Sequence, residues 1–198
     1  ALARISEVKV DTSVRKGRIT VNAALENLTP GTRHSLRTTI TDRGRKVHEF
    51  ASKTFAASDL QGGRFALTEK WEPDRLWDIH TPQHVYEAAV ALLDEKGKLL
   101  DVAHPVRFGF REFWINGRDF YLNGTRVFLS ALPLDNAQVS ALAASYEGAA
   151  ESLRRLKRIG INFVYTHNYG CTPGSHLSFA EILRAADDVG MLVALSQP

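Results

Sequence analysis

One cysteine, Cys171, one methionine, Met191, and no long apolar run are what this 198-residue sequence has least of. A lone cysteine can form no internal disulfide and no cysteine-based zinc framework. No apolar stretch approaches the roughly 20 residues that cross a bilayer as a helix, and no basic, apolar, small-residue order of a signal peptide follows Ala1. No membrane partner is therefore expected. The chain also lacks a glycine-rich phosphate loop, a nucleophile elbow and a dinucleotide fingerprint. An excess of one charge is missing too: 25 basic residues face 22 acidic ones, for a net charge of +3. The basic residues are scattered, and the densest group, Arg154, Arg155, Lys157 and Arg158, falls in a helical pattern and reads as a solvated face. No nucleic-acid partner is expected.

What remains is ordinary globular composition, 44% hydrophobic and 24% charged, able to bury a core. Residues 1–111 carry alternating apolar patterns at close spacing: Ile5-Val8-Val10, Ile19-Val21-Ala23-Leu25, Leu36-Thr38-Ile40, Phe65-Leu67, Tyr86-Ala88-Val90-Leu92 and Val102-Val106-Phe108. Period-two alternation marks strands with one buried face. Turn-forming groups such as Leu28-Thr29-Pro30-Gly31, Asp42-Arg43-Gly44 and Asp94-Glu95-Lys96-Gly97 separate them. About seven strands with no amphipathic helix between them predict an all-β immunoglobulin-like sandwich.

The pattern changes over residues 112–198. Asn116-Gly117 and Asn123-Gly124 supply the residues a tight hairpin needs, and Val127-Phe128-Leu129 reads as a short buried strand. Ser145 stands at an N-cap position before Tyr146, Ala149, Ala150, Leu153, Leu156 and Ile159, which recur at helical spacing up to Gly160. Ile161–Tyr165 is the next strand. A second helix starts near Ser178, or a turn earlier at Ser175, carries Phe179, Ile182, Leu183, Ala186 and Val189 on one face, and ends at Gly190. Met191–Leu195, nearly free of polar residues, is a third strand. Strand, helix, strand, helix, strand is a partial α/β architecture, because a closed (β/α)8 TIM barrel has eight such units. The expected domains are thus 1–111, the sandwich, and 112–198, the N-terminal part of a barrel cut from a larger protein. A three-strand barrel segment leaves an unpaired edge, and a homo-oligomer through exposed barrel edges is expected.

Several motifs stand in a fixed order: Trp71, Leu76-Trp77, His84-Val85-Tyr86, Lys96-Gly97, Phe108-Gly109-Phe110-Arg111, Leu122-Asn123-Gly124, Leu156-Lys157, Ile161-Asn162 and Asp187-Asp188-Val189-Gly190. In this order the chain resembles glycoside hydrolase family 2, the β-galactosidases, β-glucuronidases and β-mannosidases, from roughly residue 70 to residue 195. The resemblance implies a hydrolase that cleaves O-glycosidic bonds with retention, using two glutamates about 5–5.5 Å apart. In the family both lie on later barrel strands, so the catalytic pair falls beyond this chain and the chain alone is expected to be inactive. Departures from the family pattern sit at the strand ends. Ser130-Ala131-Leu132-Pro133-Leu134-Asp135-Asn136 replaces an Arg-Gly and a polar loop, Tyr165-Thr166-His167-Asn168-Tyr169-Gly170 replaces an Arg-Thr-Ser-His-Tyr-Pro run, and Ser196-Gln197 replaces an acidic position. They leave a second reading, a non-catalytic carbohydrate-recognition or scaffold module.

The loop from His167 to His176 is the densest polar and aromatic cluster, and sugars are held by hydrogen bonds and ring stacking. His167, Asn168 and Tyr169, with Asp135 after the first barrel strand, are the expected carbohydrate contacts. His167, Cys171 and His176 match no closed tetrahedral spacing, so neither metal nor cofactor is expected. Glu147, Glu151, Glu181, Asp187 and Asp188 fall on helices and read as solvated or capping groups. Trp71, Trp77, Trp114 and Arg111 read as packing residues.

Overall fold

The computed structural model describes residues 2–134, 145–167 and 179–196. The chain divides into two compact units, one of residues 1–76 and 84–112 and one of residues 77–83 and 113–198.

The first unit is two antiparallel sheets over one core. One sheet has the order β1-β2-β5, formed by Arg4–Ser13, Arg18–Glu26 and Arg64–Lys70. The other has the order β4-β3-β6-β7, formed by Arg45–Ala51, His34–Asp42, Tyr86–Asp94 and Leu99–Val102, with β8 (Val106–Phe108) also on β6. The alternating residues meet between the sheets: Ile19, Val21 and Ala23 from β2 and Leu36, Ile40, Val90 and Leu92 from β3 and β6 are all fully buried in one cluster. Burial of each of the larger ones stabilises the fold by about 1.5–3 kcal/mol.

Two irregularities explain where the alternation breaks. A register shift between Ile5 and Glu7 inserts a bulge in β1, so Ile5 and Val8, three apart, both join the core. Pro105, which has no amide proton to give a ladder, interrupts the Val102-Val106-Phe108 run. Two short strands result, β7 on Ala91–Leu93 and β8 on Tyr86–Ala88. The sequence pattern missed β4 altogether. As the edge strand of its sheet it buries only Phe50, which leaves no apolar period to read.

The second unit opens with a three-stranded antiparallel meander, β9 (Phe113–Asn116), β10 (Asp119–Leu122) and β11 (Thr125–Val127). Leu122 pairs with Thr125, which leaves Asn123 and Gly124 as a two-residue loop with φ of 53° and 91°. Positive φ at both central positions is the type I′ hairpin turn that matches strand twist. The buried strand expected at Val127–Leu129 is corrected: Phe128 is 84% exposed, and the first parallel strand is β12, Ala131–Pro133.

β12 pairs in parallel with β13 (Phe163–His167), which pairs in parallel with β14 (Leu192–Ser196). Helices α1 (Tyr146–Arg158) and α2 (Phe179–Val189) connect them. Ser145 caps α1 by accepting the Gly148 amide at 3.1 Å, as its position in the sequence predicts. Ala149, Ala150 and Leu153 of α1 and Ile182, Ala185, Ala186 and Val189 of α2 pack over Val164 as a second core. Ile159, expected on the same stripe, is instead the exposed C-cap of α1.

Candidate active site at the carboxyl edge of the parallel sheet

Parallel strands placed side by side aim their carboxyl ends at one edge, and ligands of such sheets bind there. The register fixes that edge: Pro133 pairs with Tyr165, Tyr165 with Ala194, and His167 with Ser196. The amide of Leu134 continues the ladder onto the Tyr165 carbonyl at 2.8 Å. Strand pleating sorts the residues before this edge. Val164 and Val193 join the core under the helices, whereas Tyr165, next along the strand, is 43% exposed. Helices cover one face of this sheet, and Tyr165 stands on the other. Tyr165, which stands where the family motif begins with Arg, is placed on the opposite face by its position one step from Val164.

His167 is the last residue of β13, at the carboxyl edge. Asp135, Asn168 and Tyr169 lie outside the described residues, as do Cys171 and His176. The strands themselves, Ala-Leu-Pro, Phe-Val-Tyr-Thr-His and Leu-Val-Ala-Leu-Ser, carry no carboxylate. The acids nearest in sequence are engaged on the helices. Asp188 accepts the Tyr146 hydroxyl at 2.7 Å, a bond that pushes the Tyr146 pKa up together with burial. Glu151 accepts from Arg155 at 2.9 Å one turn away, which holds its pKa down. Among the described residues no group of three His, Cys, Asp or Glu side chains could hold a metal ion, and no helix is long and apolar enough to cross a membrane.

The most displaced carboxyl lies in the first unit. Burial pushes Glu112 up, but hydrogen bonds from the Arg15 side chain at 2.5 and 2.8 Å, the Arg15 amide at 2.9 Å and the Ser13 hydroxyl at 3.0 Å prevail and lower it to about 2. Such a carboxylate is committed as an acceptor and is a poor proton donor. Trp71 is likewise engaged: it stacks on His48 with centroids 5.3 Å apart and meets Tyr86 and Phe110 edge-on. Trp77 is buried, with its indole N–H donated to the Asp187 carbonyl at 3.0 Å. Trp114 stacks on Tyr121 across the β9–β10 pair.

Solved glycoside hydrolases resemble this chain in fold over nearly its whole length. A family 2 member from Bacteroides cellulosilyticus superimposes with a TM-score of 0.71 at 22% identity, over 96% of this chain and 26% of its own. The chain shares the fold of the matched part of that protein. β-Glucuronidase 3 from Bacteroides uniformis matches at 0.60 and 25% identity over 98% of this chain and 22% of its own. β-Glucuronidase 2 from the same organism, solved covalently bound to cyclophellitol-6-carboxylate aziridine, matches at 0.61 and 19% identity over 98% and 24%. This chain spans about a quarter of the length of these proteins. No protein-family model and no curated protein matches it.

Proposed function

We propose that the chain is the immunoglobulin-like sandwich and the opening β-α-β-α-β portion of a TIM barrel in a larger glycoside hydrolase, which cleaves O-glycosidic bonds with retention. The observation that carries this reading is the parallel order β12-β13-β14, with a helix in each connection, following a sandwich in one chain. A fold shared with family 2 structures over 96–98% of the chain supports it, as do the ordered motifs from Trp71 to Gly190.

Retention requires a carboxylate nucleophile and a carboxylic acid/base on opposite sides of the scissile bond. β12, β13 and β14 carry neither, which fits the family resemblance, in which both glutamates lie on later barrel strands. This chain's share of the pocket is recognition. His167, Asn168 and Tyr169 after β13, and Asp135 after β12, contribute hydrogen bonds and a ring face to the sugar. β-Glucuronidase 2 is covalently bound to cyclophellitol-6-carboxylate aziridine, which supports a covalent intermediate for the whole protein proposed here.

The test compares the purified 198-residue chain with the complete protein on a panel of aryl β-glycosides and a cyclophellitol aziridine. The complete protein should turn over at least one substrate with the anomeric configuration kept, read by proton NMR, and should be labelled covalently, while the chain alone does neither. Turnover by the chain alone, or an inverted product, overturns the reading. Sugar binding by the complete protein with neither turnover nor label would instead establish a recognition module.

A further inference from the structure

Residues 77–83 are contiguous with the first unit in sequence yet belong to the second. At the base of this excursion, His84 Nδ1 donates to the Leu76 carbonyl at 3.1 Å, and the Tyr86 hydroxyl donates to the Arg75 carbonyl at 2.9 Å. Within it, Trp77 and Ile79 are 1% and 5% exposed. The Asp78 side chain accepts the His80 amide at 3.0 Å, and its carbonyl accepts the Thr81 amide at 3.0 Å, so the segment is a tight local turn.

Three groups of the second unit grip that turn. Asn123, from the meander turn, donates to the Trp77 carbonyl at 2.8 Å, and the Trp77 indole reaches the Asp187 carbonyl. The third is Lys157. Its ammonium donates to the Ile79 carbonyl at 2.5 Å and to the Val189 carbonyl at 2.6 Å. Val189 ends α2, so its carbonyl is one of those a helix leaves without a partner, at the end where the helix dipole favours a cation. Lys157 thus caps α2 and holds the turn with one charge. Gly190 completes the fit: with φ of 78°, any Cβ there would stand 2.4 Å from the Ile79 carbonyl oxygen and 2.8 Å from Lys157 Nζ. The solvated-face reading of Lys157 is corrected by these contacts; it is partly buried, while Arg154, Arg155 and Arg158 around it are exposed.

We infer that Trp77–Gln83 is a separable strap, anchored at Trp77 and latched by Lys157, whose latch can open while the helices and the sheet beneath it stay folded. Two features make the latch end the weaker one. Trp77 is buried and hydrogen-bonded through both its indole and its carbonyl, whereas beyond Ile79 the residues are only partly covered or exposed. The ammonium also bridges the Ile79 carbonyl to the end of α2, and burial pushes its pKa down, with the Asp78 carboxylate opposing that shift. The strap grips the carboxyl ends of α1 and α2, where β14 is about to begin. This is the sheet edge opposite His167 and Ser196, so the inference is independent of the proposed glycosidase activity.

Native-state amide exchange on the intact chain tests it with Lys157→Met and Gly190→Ala, which attack the latch from its two sides. Both variants should speed exchange at residues 79–83 and 189–191 by about tenfold or more, as local opening does, and leave Val164, Ile182 and the sandwich strands at their wild-type rates. Lys157→Arg should recover part of the protection, because a guanidinium can still donate to both carbonyls. Unchanged exchange at 79–83 in both variants overturns the latch. A uniform rise across the second unit, or failure of both variants to fold, overturns the separability of the strap.

Discussion

The two units bury their sheets in different ways. In the sandwich each sheet covers the other, so the inner faces of β2, β3 and β6 reach full burial with no helix involved. In the second unit α1 and α2 cover one face of β12-β13-β14, and Tyr165 on the other face is 43% exposed. A sheet whose core is closed by another sheet is committed to stability. A parallel sheet covered by helices presents its strand-end edge, where ligands of such sheets bind. On the proposed reading, the first unit's core carries stability and the second unit's carboxyl edge carries recognition.

The largest effects should come from breaking each core separately. Trp77→Ala removes the buried indole and the donor to Asp187, and should cost about 3–5 kcal/mol in the second unit by urea denaturation. Leu36→Ala in the sandwich should cost about 2–5 kcal/mol. Changes confined to the other unit's amide-exchange pattern in either case would break the assignment.

Next come the recognition residues. In the complete protein His167→Ala or Asn168→Ala should weaken sugar binding or turnover by about 1–3 kcal/mol per lost polar contact, with the melting temperature nearly unchanged. Loop variants that melt early while binding sugar normally would return this edge to a purely structural role.

A smaller loss, about 1 kcal/mol, is expected for Ser145→Ala, which leaves the Gly148 amide without its cap. Ser145→Asp should restore it, since a carboxylate both accepts that amide and favours the helix N-terminus.

The last prediction concerns pH and belongs to the sandwich. His34 is 3% exposed with no partner for Nδ1 among the described residues, and burial lowers its pKa below the ordinary 6.5, with the Asp94 charge opposing. A histidine depressed in the folded state stabilises the fold above its unfolded pKa and gives that stability up as pH falls through 6.5 toward the folded value. Urea midpoints should therefore drop between pH 7.5 and pH 5.5 in the wild type, and the drop should be smaller in His34→Gln. An equal drop in both would remove His34 as the cause.

Much of this architecture was legible because its signals are local. Alternation at Ile19-Val21-Ala23-Leu25, the Ser145 cap and the Asn123-Gly124 turn each depend on residues within a few positions of one another. The misses share the opposite property. Edge strand β4 has one buried residue and hence no period, and the stretch Val127–Leu129 looked like a buried strand until Phe128 proved exposed. Lys157 looked like its neighbours Arg154, Arg155 and Arg158, because spacing on a helix says nothing about a carbonyl 78 residues away.

By itself the sequence determined most of the sandwich strands, the two helices and the Ser145 cap, since backbone preference and hydrophobic period act over a few residues. It also carried the ordered motifs that resemble family 2 glycosidases. Only the tertiary structure decided what those motifs hold. Trp77, Asn123, Lys157 and Gly190 are far apart in the chain and converge on one turn. Likewise His167 meets Ser196 only through the parallel register. Such pairings depend on how strands and helices pack in three dimensions, and no local pattern encodes them.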